Sequence, residues 1–516
     1  MLFNSLEFIF LFLPLTLAGY YTLVRFGMRQ WIFLFLVFAS LVFYSVWNPP
    51  YVFLLIGSML ANYLIGLGIH RTVGTKTATA ILSAGVALNL AVLGWFKYAN
   101  FFLENANAIA GTDWTLQKII LPLAISFYTF QQIAYLVDVA RKDVQPGGLF
   151  RYATFVIFFP QLIAGPIVHY REMMPQFFGR NLGRFVGANL TVGIAIFAVG
   201  LFKKTVIADS AALYASPVFG LAHDGNAIGL YDAWKAAICY TIQLYFDFSG
   251  YSDMAIGLAR MFGIKLPVNF NSPLRAMSII EYWRRWHMTL QQFIVAYMYQ
   301  PLVLPLARVA ANTGLGKWAS FYLTVGVPTF VIFVVIGLWH GAAWTYVLFG
   351  TLHGFYLATN EFWRLFMRRR KSKTGPSVQA RVGYHVLTLF CVLIANVVFR
   401  AETVSDAMRI WLGLFRFSDL PAIATILPTA WSDLIVQPMV LILLSAGLIA
   451  LAPNTQQLFG RYHPVYGWAK MKNNVRPVIS VTWRPTLAWA VWTGVVLFLG
   501  VAFVSRGESE FIYFNF

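Results

Sequence analysis

Residues 331–354 read VIFVVIGLWHGAAWTYVLFGTLHG, two apolar runs that meet at one histidine, His340. With the residues on either side, each run approaches the ~20 residues with which a helix crosses a bilayer. An ionisable side chain between such runs is costly in hydrocarbon, so His340 is a candidate functional residue. The alternative interpretation is a packing role, in which a neighbouring helix hydrogen-bonds the imidazole.

The rest of the chain repeats this apolar pattern from end to end. Of its 516 residues, 59% are hydrophobic and 11% are charged, a composition that excludes a water-soluble fold. We predict an all-α integral membrane protein, a polytopic helical bundle of about 11 to 13 spans that forms one membrane-embedded domain over residues 1–516. The predicted spans are 6–24, 31–47, 51–69, 79–96, 117–137, 152–168, 186–202, 233–249, 320–339, 342–363, 382–399, 433–452 and 487–504.

The formal net charge is +19, but no nucleic-acid-binding pattern accompanies it. The basic residues lie in alternate connections between spans, which the positive-inside rule assigns to the cytoplasm. Both termini are then expected outside. In segment 168–318 the basic residues do not alternate, so re-entrant or tilted helices around a site are expected there. The cytoplasmic connections would contain Arg25 and Arg29, Arg71 and Lys76, Arg141, Lys142 and Arg151, the run 368–373, and the basic residues of 453–486.

A second polar segment, 281–301, reads EYWRRWHMTLQQFIVAYMYQP. Helical spacing would place Trp283, Trp286 and His287 on one face. One interpretation is an interfacial belt, in which aromatic side chains mark the headgroup level. The other is the polar wall of an internal cavity, with His287 as a functional residue.

Two adjacent arginines, Arg284 and Arg285, belong to the same segment, and Glu281 would lie within reach of both. If the segment lines a cavity, the arginines are candidates to bind a phosphate or carboxylate of a ligand. They are therefore predicted binding residues, together with the two tryptophans as lining of the same cavity.

The chemistry of His340 suits acyl transfer to an alcohol, because a neutral imidazole can take a proton from a hydroxyl within hydrogen-bond reach. His353 lies 13 residues further on, on nearly the opposite face of a continuous helix, so the two histidines are not expected to be paired metal ligands. The chain contains no nucleophile elbow, phosphate-binding loop or dinucleotide fingerprint. No metal site and no tightly bound cofactor are therefore predicted.

Taken jointly, these motifs resemble the membrane-bound O-acyltransferase superfamily, and specifically its alginate O-acetyltransferase branch. The resemblance covers nearly the whole chain. It rests on YWRRWH and GLWHGAAWTYVLFGTLHG, on residues 121–139, 158–170 and 244–273, on the opening MLFNSLEFIFLFLP and on the closing FIYFNF.

The resemblance implies a funnel-shaped bundle with a tunnel through a thin partition, located in a bacterial inner membrane. It also implies that His340 is the catalytic histidine and that His287 supports it. In this branch acetyl-CoA is the expected cytoplasmic donor. Periplasmic acetyltransferase partners are expected to complete transfer to a polysaccharide hydroxyl, for which alginate is the first candidate. A role of Arg284 and Arg285 toward the donor phosphates is our own expectation.

One departure from the family pattern concerns the acceptor or the partner surface. The family has Arg-Asp before a tyrosine at the positions where this chain has Val295 and Ala296 before Tyr297. Cellulose, peptidoglycan, another exopolysaccharide or teichoic acid therefore stay open as acceptors. A transporter, or a non-catalytic scaffold of a polysaccharide secretion complex, is the alternative of another class. Paired broken helices in inverted repeats would favour the transporter, and the sequence shows none.

Overall fold

The computed structural model describes residues 1–116, 119–179, 182–367, 376–419 and 437–504. Within these residues every regular element is a helix, as predicted from the sequence. The basic run 368–373, residues 433–436 of one predicted span and the closing FIYFNF lie outside the described residues.

The N-terminal half consists mainly of long apolar helices, with two helices of nine residues each between them. They are α1 (Phe8–Arg25), α2 (Arg29–Ser45), α3 (Pro50–Thr72), α4 (Lys76–Ala110), α5 (Ile125–Ala140), α6 (Leu149–Ile157), α7 (Tyr170–Phe178) and α8 (Gly187–His223).

The second half alternates long helices with short helices and loops. Its helices are α9 (Leu230–Met261), α10 (Ile279–Trp283), α11 (Met288–Asn312), α12 (Lys317–His340), α13 (Trp344–Met367), α14 (Val378–Arg400), α15 (Val404–Leu414), α16 (Pro438–Leu451) and α17 (Leu487–Val504).

Eight of the described helices are long and apolar enough to cross a membrane, fewer than the 11 to 13 predicted spans. Two shorter apolar helices, α2 and α16, add to them. The chain is thus a multi-pass membrane protein. The difference has a physical cause, because several predicted spans are interrupted or carry buried polar residues. Some observed helices are also much longer than the span predicted for them. Helix α8, for example, continues through 37 residues, whereas the predicted span is 186–202.

The predicted span 152–168 is wrong as a continuous helix. Helix α6 ends at Ile157, Phe158 leaves the helical conformation with a ψ of 108°, and the chain then forms only the single helical turn Phe159–Leu162, with Pro160 in its first turn, where proline is tolerated. The freed backbone groups find partners inside the protein: the Ser40 hydroxyl accepts from the Phe159 N–H at 3.0 Å, and the Gln161 side-chain amide donates to the Phe155 carbonyl at 2.5 Å. Irregular backbone at membrane depth requires such internal partners.

Helices α8 and α9 pack antiparallel through two pairs of glycines at a seven-residue spacing. A Cβ added at Gly200 would lie 2.6 Å from the Gly250 carbonyl oxygen, and one at Gly193 would lie 2.7 Å from the Gly257 carbonyl oxygen. Only glycine permits this approach, which is typical of helix contacts in membranes. The pair forms the centre of the bundle, against which the loop before α10 packs.

Buried ion pairs join the same two helices to each other, and a hydrogen bond joins them to the C-terminal region. Lys204 lies 2.7 Å from Asp247, and Lys203 lies 2.6 Å from Asp253. Asp253 also accepts a hydrogen bond of 2.6 Å from the Thr455 hydroxyl. The acidic residues of α9 therefore hold helices and loops together, as a charge in this setting needs an opposite charge.

Candidate active site

His340 is the last residue of α12, and the chain bends directly after it. Gly341 is extended, and α13 begins three residues later at Trp344. The imidazole is 3% exposed and packs edge-on against Phe399, with ring centroids 5.1 Å apart. The bend thus buries the ionisable ring inside the bundle at the end of one helix.

The bend is tight because α12 and α13 touch through glycines. A Cβ added at Gly337 would lie 2.2 Å from the Tyr346 carbonyl oxygen, and one at Gly350 would lie 2.2 Å from the Phe333 carbonyl oxygen. The backbones of the two helices therefore meet directly, which fixes the direction in which α12 presents His340.

His287 lies in a different backbone environment, in the connection between α10 and α11. Its φ of 45° and ψ of 52° are left-handed, so the predicted common helical face for residues 283–287 is wrong. The connection is secured by Asn269, whose backbone carbonyl accepts from the Met288 N–H at 2.9 Å and whose side-chain oxygen accepts from the Thr289 hydroxyl at 2.5 Å. His287 itself is 1% exposed.

The two histidines converge on Trp339. Ring centroids are 6.3 Å apart for His287 and Trp339, and 4.9 Å apart for Trp339 and His340. The structure thus brings together the two residues that the sequence singled out, although 53 positions separate them. The pair is deep in the protein, away from bulk water.

Both predicted tryptophans line a small cavity that reaches His340. Its volume is about 10 Å³, close to what one water molecule needs. A hydroxyl oxygen would fit there without bulk solvent. The cavity is lined by Leu244, Tyr282, Trp283, Trp286, His340, Phe349, Asn396 and Phe399.

His353 is part of the same cluster, contrary to the expectation from a continuous helix. The bend after His340 changes the direction of the chain, and Phe349 packs between the rings, with centroids 5.9 Å from His340 and 4.7 Å from His353. The Trp283 indole N–H donates to His353 Nδ1 at 3.1 Å, so His353 holds that tryptophan in place. Among the described residues no cluster of His, Cys, Asp and Glu has the arrangement of a metal site.

The two predicted phosphate-binding arginines differ in their surroundings. Arg285 forms an ion pair with Glu281, four residues earlier, whereas the Arg284 side chain is exposed. Neither residue is among those that line the cavity at His340. Of the two, Arg284 is therefore the one open to an anionic group of a ligand without loss of an existing pair.

One residue near the site was missed in the sequence. Lys97 lies in α4, and its ammonium group donates to the carbonyl of Trp339 and, at 3.3 Å, to that of His340. Its signal was a lone lysine within an apolar helix, which for an intramembrane residue is a functional hypothesis by default.

The model of the MBOAT, membrane-bound O-acyltransferase family, matches residues 139–399, which include both histidines. The chain belongs to the membrane-bound O-acyltransferase family. It is accordingly an O-acyltransferase embedded in the membrane.

Relatives of this family member act on several acceptors. A peptidoglycan O-acetyltransferase of Helicobacter pylori is 40% identical over 80% of each chain. A probable alginate O-acetylase of Pseudomonas putida is 34% identical over the full length of both chains. A teichoic acid D-alanyltransferase of Lacticaseibacillus rhamnosus is 26% identical over 58% of this chain and 70% of its own.

Proposed function

We propose that this O-acyltransferase moves an acetyl group from cytoplasmic acetyl-CoA to a hydroxyl of an extracytoplasmic polysaccharide in a bacterial inner membrane. The observation that carries the proposal is the convergence of His340 and His287 on Trp339 in a closed interior. A second support is that the relatives named for acetyl transfer act on alginate or peptidoglycan, both of which are polysaccharides.

In the proposed reaction His340 is the general base. The neutral imidazole takes the proton of an acceptor hydroxyl, and the oxygen attacks the carbonyl carbon of the thioester. The new C–O bond forms as the C–S bond breaks, and the departing thiolate takes the proton from the imidazolium. His287, held on the facing connection, orients or polarises the reacting groups. The small cavity between His340 and the tryptophans has room for about one small group, so an acceptor hydroxyl that occupies it leaves no space for a competing water.

The same hypothesis assigns residues to the binding of the acetyl donor and a role to a partner protein. Donor phosphates would meet Arg284, whose charge is exposed, rather than Arg285, which already pairs with Glu281. Trp283 and Trp286 would line the route of the acyl group. A separate periplasmic acetyltransferase would supply the acceptor hydroxyl that His340 deprotonates, and it would then pass the acetyl group to the polymer hydroxyl.

Two acceptors lead the proposal. Alginate is the first candidate, since probable alginate O-acetylases are 34% identical over the whole chain and 38% identical over 81% of it. Peptidoglycan is the second, favoured by the 40% identity to the Helicobacter pylori protein. The replacement of the family's Arg-Asp by Val295 and Ala296 lies on α11 and is a candidate determinant of which partner is used.

The test is the O-acetyl content of purified exopolysaccharide and of purified peptidoglycan from a deletion strain complemented with wild-type, His340→Ala or His287→Ala protein at matched membrane levels. We expect one polymer to lose its acetyl groups in the deletion and in the His340→Ala strain. Loss from exopolysaccharide identifies the first candidate, and loss from peptidoglycan identifies the second. Normal acetylation of both polymers with His340→Ala protein would favour a transporter or a scaffold.

A further inference from the structure

Helix α4 contains one charged residue in its interior, Lys97, between Lys76 at its start and Glu104 near its end. An ammonium group at this depth is costly unless several acceptors surround it. Three acceptors do so. They are the carbonyl oxygens of Trp339 and His340 and, at 3.5 Å, the hydroxyl of Ser126. A lysine has three N–H donors, so each hydrogen has a partner.

The two carbonyls belong to the C-terminal end of α12, where the last carbonyl groups of a helix have no partner within the helix. The negative end of the helix dipole lies there too, so a cation is stabilised at this position. Tyr98, the next residue of α4, donates to the Leu338 carbonyl at 2.8 Å. Side chains of α4 thus bind three successive carbonyls that end with the one of His340.

A cavity of about 280 Å³ lies beside Lys97, lined by Asn100 and by Gly341 and Ala342 of the bend. The lysine therefore has room to turn away from α12, yet its ammonium group is directed at the carbonyl end of that helix. The same space would accept the larger guanidinium of an arginine. This makes a conservative substitution at position 97 informative.

We propose that Lys97 is a positioning residue, which holds the end of α12 so that the His340 imidazole keeps its place opposite His287. The proposal rests on the proposed function of His340. Lys97 acts through the backbone of Trp339 and His340 and does not touch the reacting atoms. Without its charge the carbonyls at the bend lose their donor, and the imidazole moves with the backbone that carries it.

The test uses full-length protein in membrane vesicles from the native host, with release of CoA from acetyl-CoA as the measurement and the His340→Ala protein as the blank. A displacement of about 1 Å at a catalytic group can cost about 100-fold. We expect Lys97→Met to lower kcat by about that factor with an unchanged KM for acetyl-CoA. Lys97→Arg should recover most of the lost rate, because its guanidinium can donate to the same carbonyls.

Tyr98→Phe is the matched control, since it removes a neutral donor to the same helix end. It should lower kcat by less than about tenfold, the contribution of one ordinary hydrogen bond. Three results would overturn the inference: a Lys97→Met protein with normal kcat, an equal loss in Tyr98→Phe, or a loss that follows the amount of folded protein and is not recovered by arginine. Absence of CoA release by the wild type would refute the proposed function itself.

Discussion

The two histidines of the candidate site are presented by segments built on different principles. His340 ends a long helix that contacts α13 through glycines and α4 through hydrogen bonds from side chains. His287 lies in a left-handed turn that a few hydrogen bonds around Asn269 secure. One imidazole is thus held by packing between helices, and the other is held by hydrogen bonds within a connection. The comparison predicts unequal roles, which substitutions in the two segments can test.

The largest effect is expected for His340→Ala, which removes the proposed base. Loss of general base catalysis typically costs about 10²- to 10⁴-fold in rate. The measurement is polymer acetylation at matched membrane levels. His70→Ala is a suitable control, because His70 is exposed at the end of α3. If both proteins acetylate normally, His340 is not the base.

A substitution in the scaffold tests whether the contact between α12 and α13 sets the position of His340. A Cβ at Gly337 would lie 2.2 Å from a carbonyl oxygen, so Gly337→Ala must push the helices apart. Such overpacking costs about 1–3 kcal/mol of stability, which we expect as a lower Tm of the solubilised protein and a lower rate.

The matched control for that substitution is Gly494→Ala in α17, where an added Cβ meets no atom within 4 Å. It should leave both the Tm and the rate unchanged. Equal behaviour of the two alanine variants would show that the close packing of α12 and α13 does not position the site.

Much of the site could be predicted from the sequence because its signals are local. The sequence alone shows an ionisable residue next to apolar runs, and both His340 and His287 could be singled out in this way. The left-handed backbone at His287 could not be predicted, because the hydrogen bonds to Asn269 that secure it join two separate parts of the chain. Lys97 was missed for a related reason. The role of Lys97 rests on its contacts with carbonyl groups some 240 positions away, whereas the sequence shows only a lysine in an apolar helix.

The same reasoning applies to the fold. An all-helical membrane protein follows from composition, since only helices satisfy backbone groups across a long apolar stretch. The ends of the helices did not follow, because side chains such as Ser40 and Gln161 replace backbone partners where α6 is interrupted. The expected common face of residues 283–287 failed because a turn, rather than a helix, joins α10 to α11.

Substitutions at His287 separate the imidazole from the backbone that carries it. Asparagine tolerates left-handed backbone, whereas alanine in that conformation costs roughly 1–2 kcal/mol. We expect His287→Asn and His287→Ala to lose about tenfold in rate each, the loss of one polar contact. Only the alanine variant should also have a lower Tm. A rate loss as large as that of His340→Ala would show that the two histidines are equal partners.

The smallest effect is expected for Arg284→Ala, which tests the donor side of the comparison. An exposed charge contributes about 0.2–1 kcal/mol to an ionic contact, so the KM for acetyl-CoA should rise by no more than about fivefold, with kcat unchanged. Arg285→Ala is the informative counterpart, because its guanidinium already pairs with Glu281. It should change KM less than Arg284→Ala does. If KM stays constant in both proteins, the donor phosphates bind elsewhere. The reaction would then use His287 and His340 but not the neighbouring arginines.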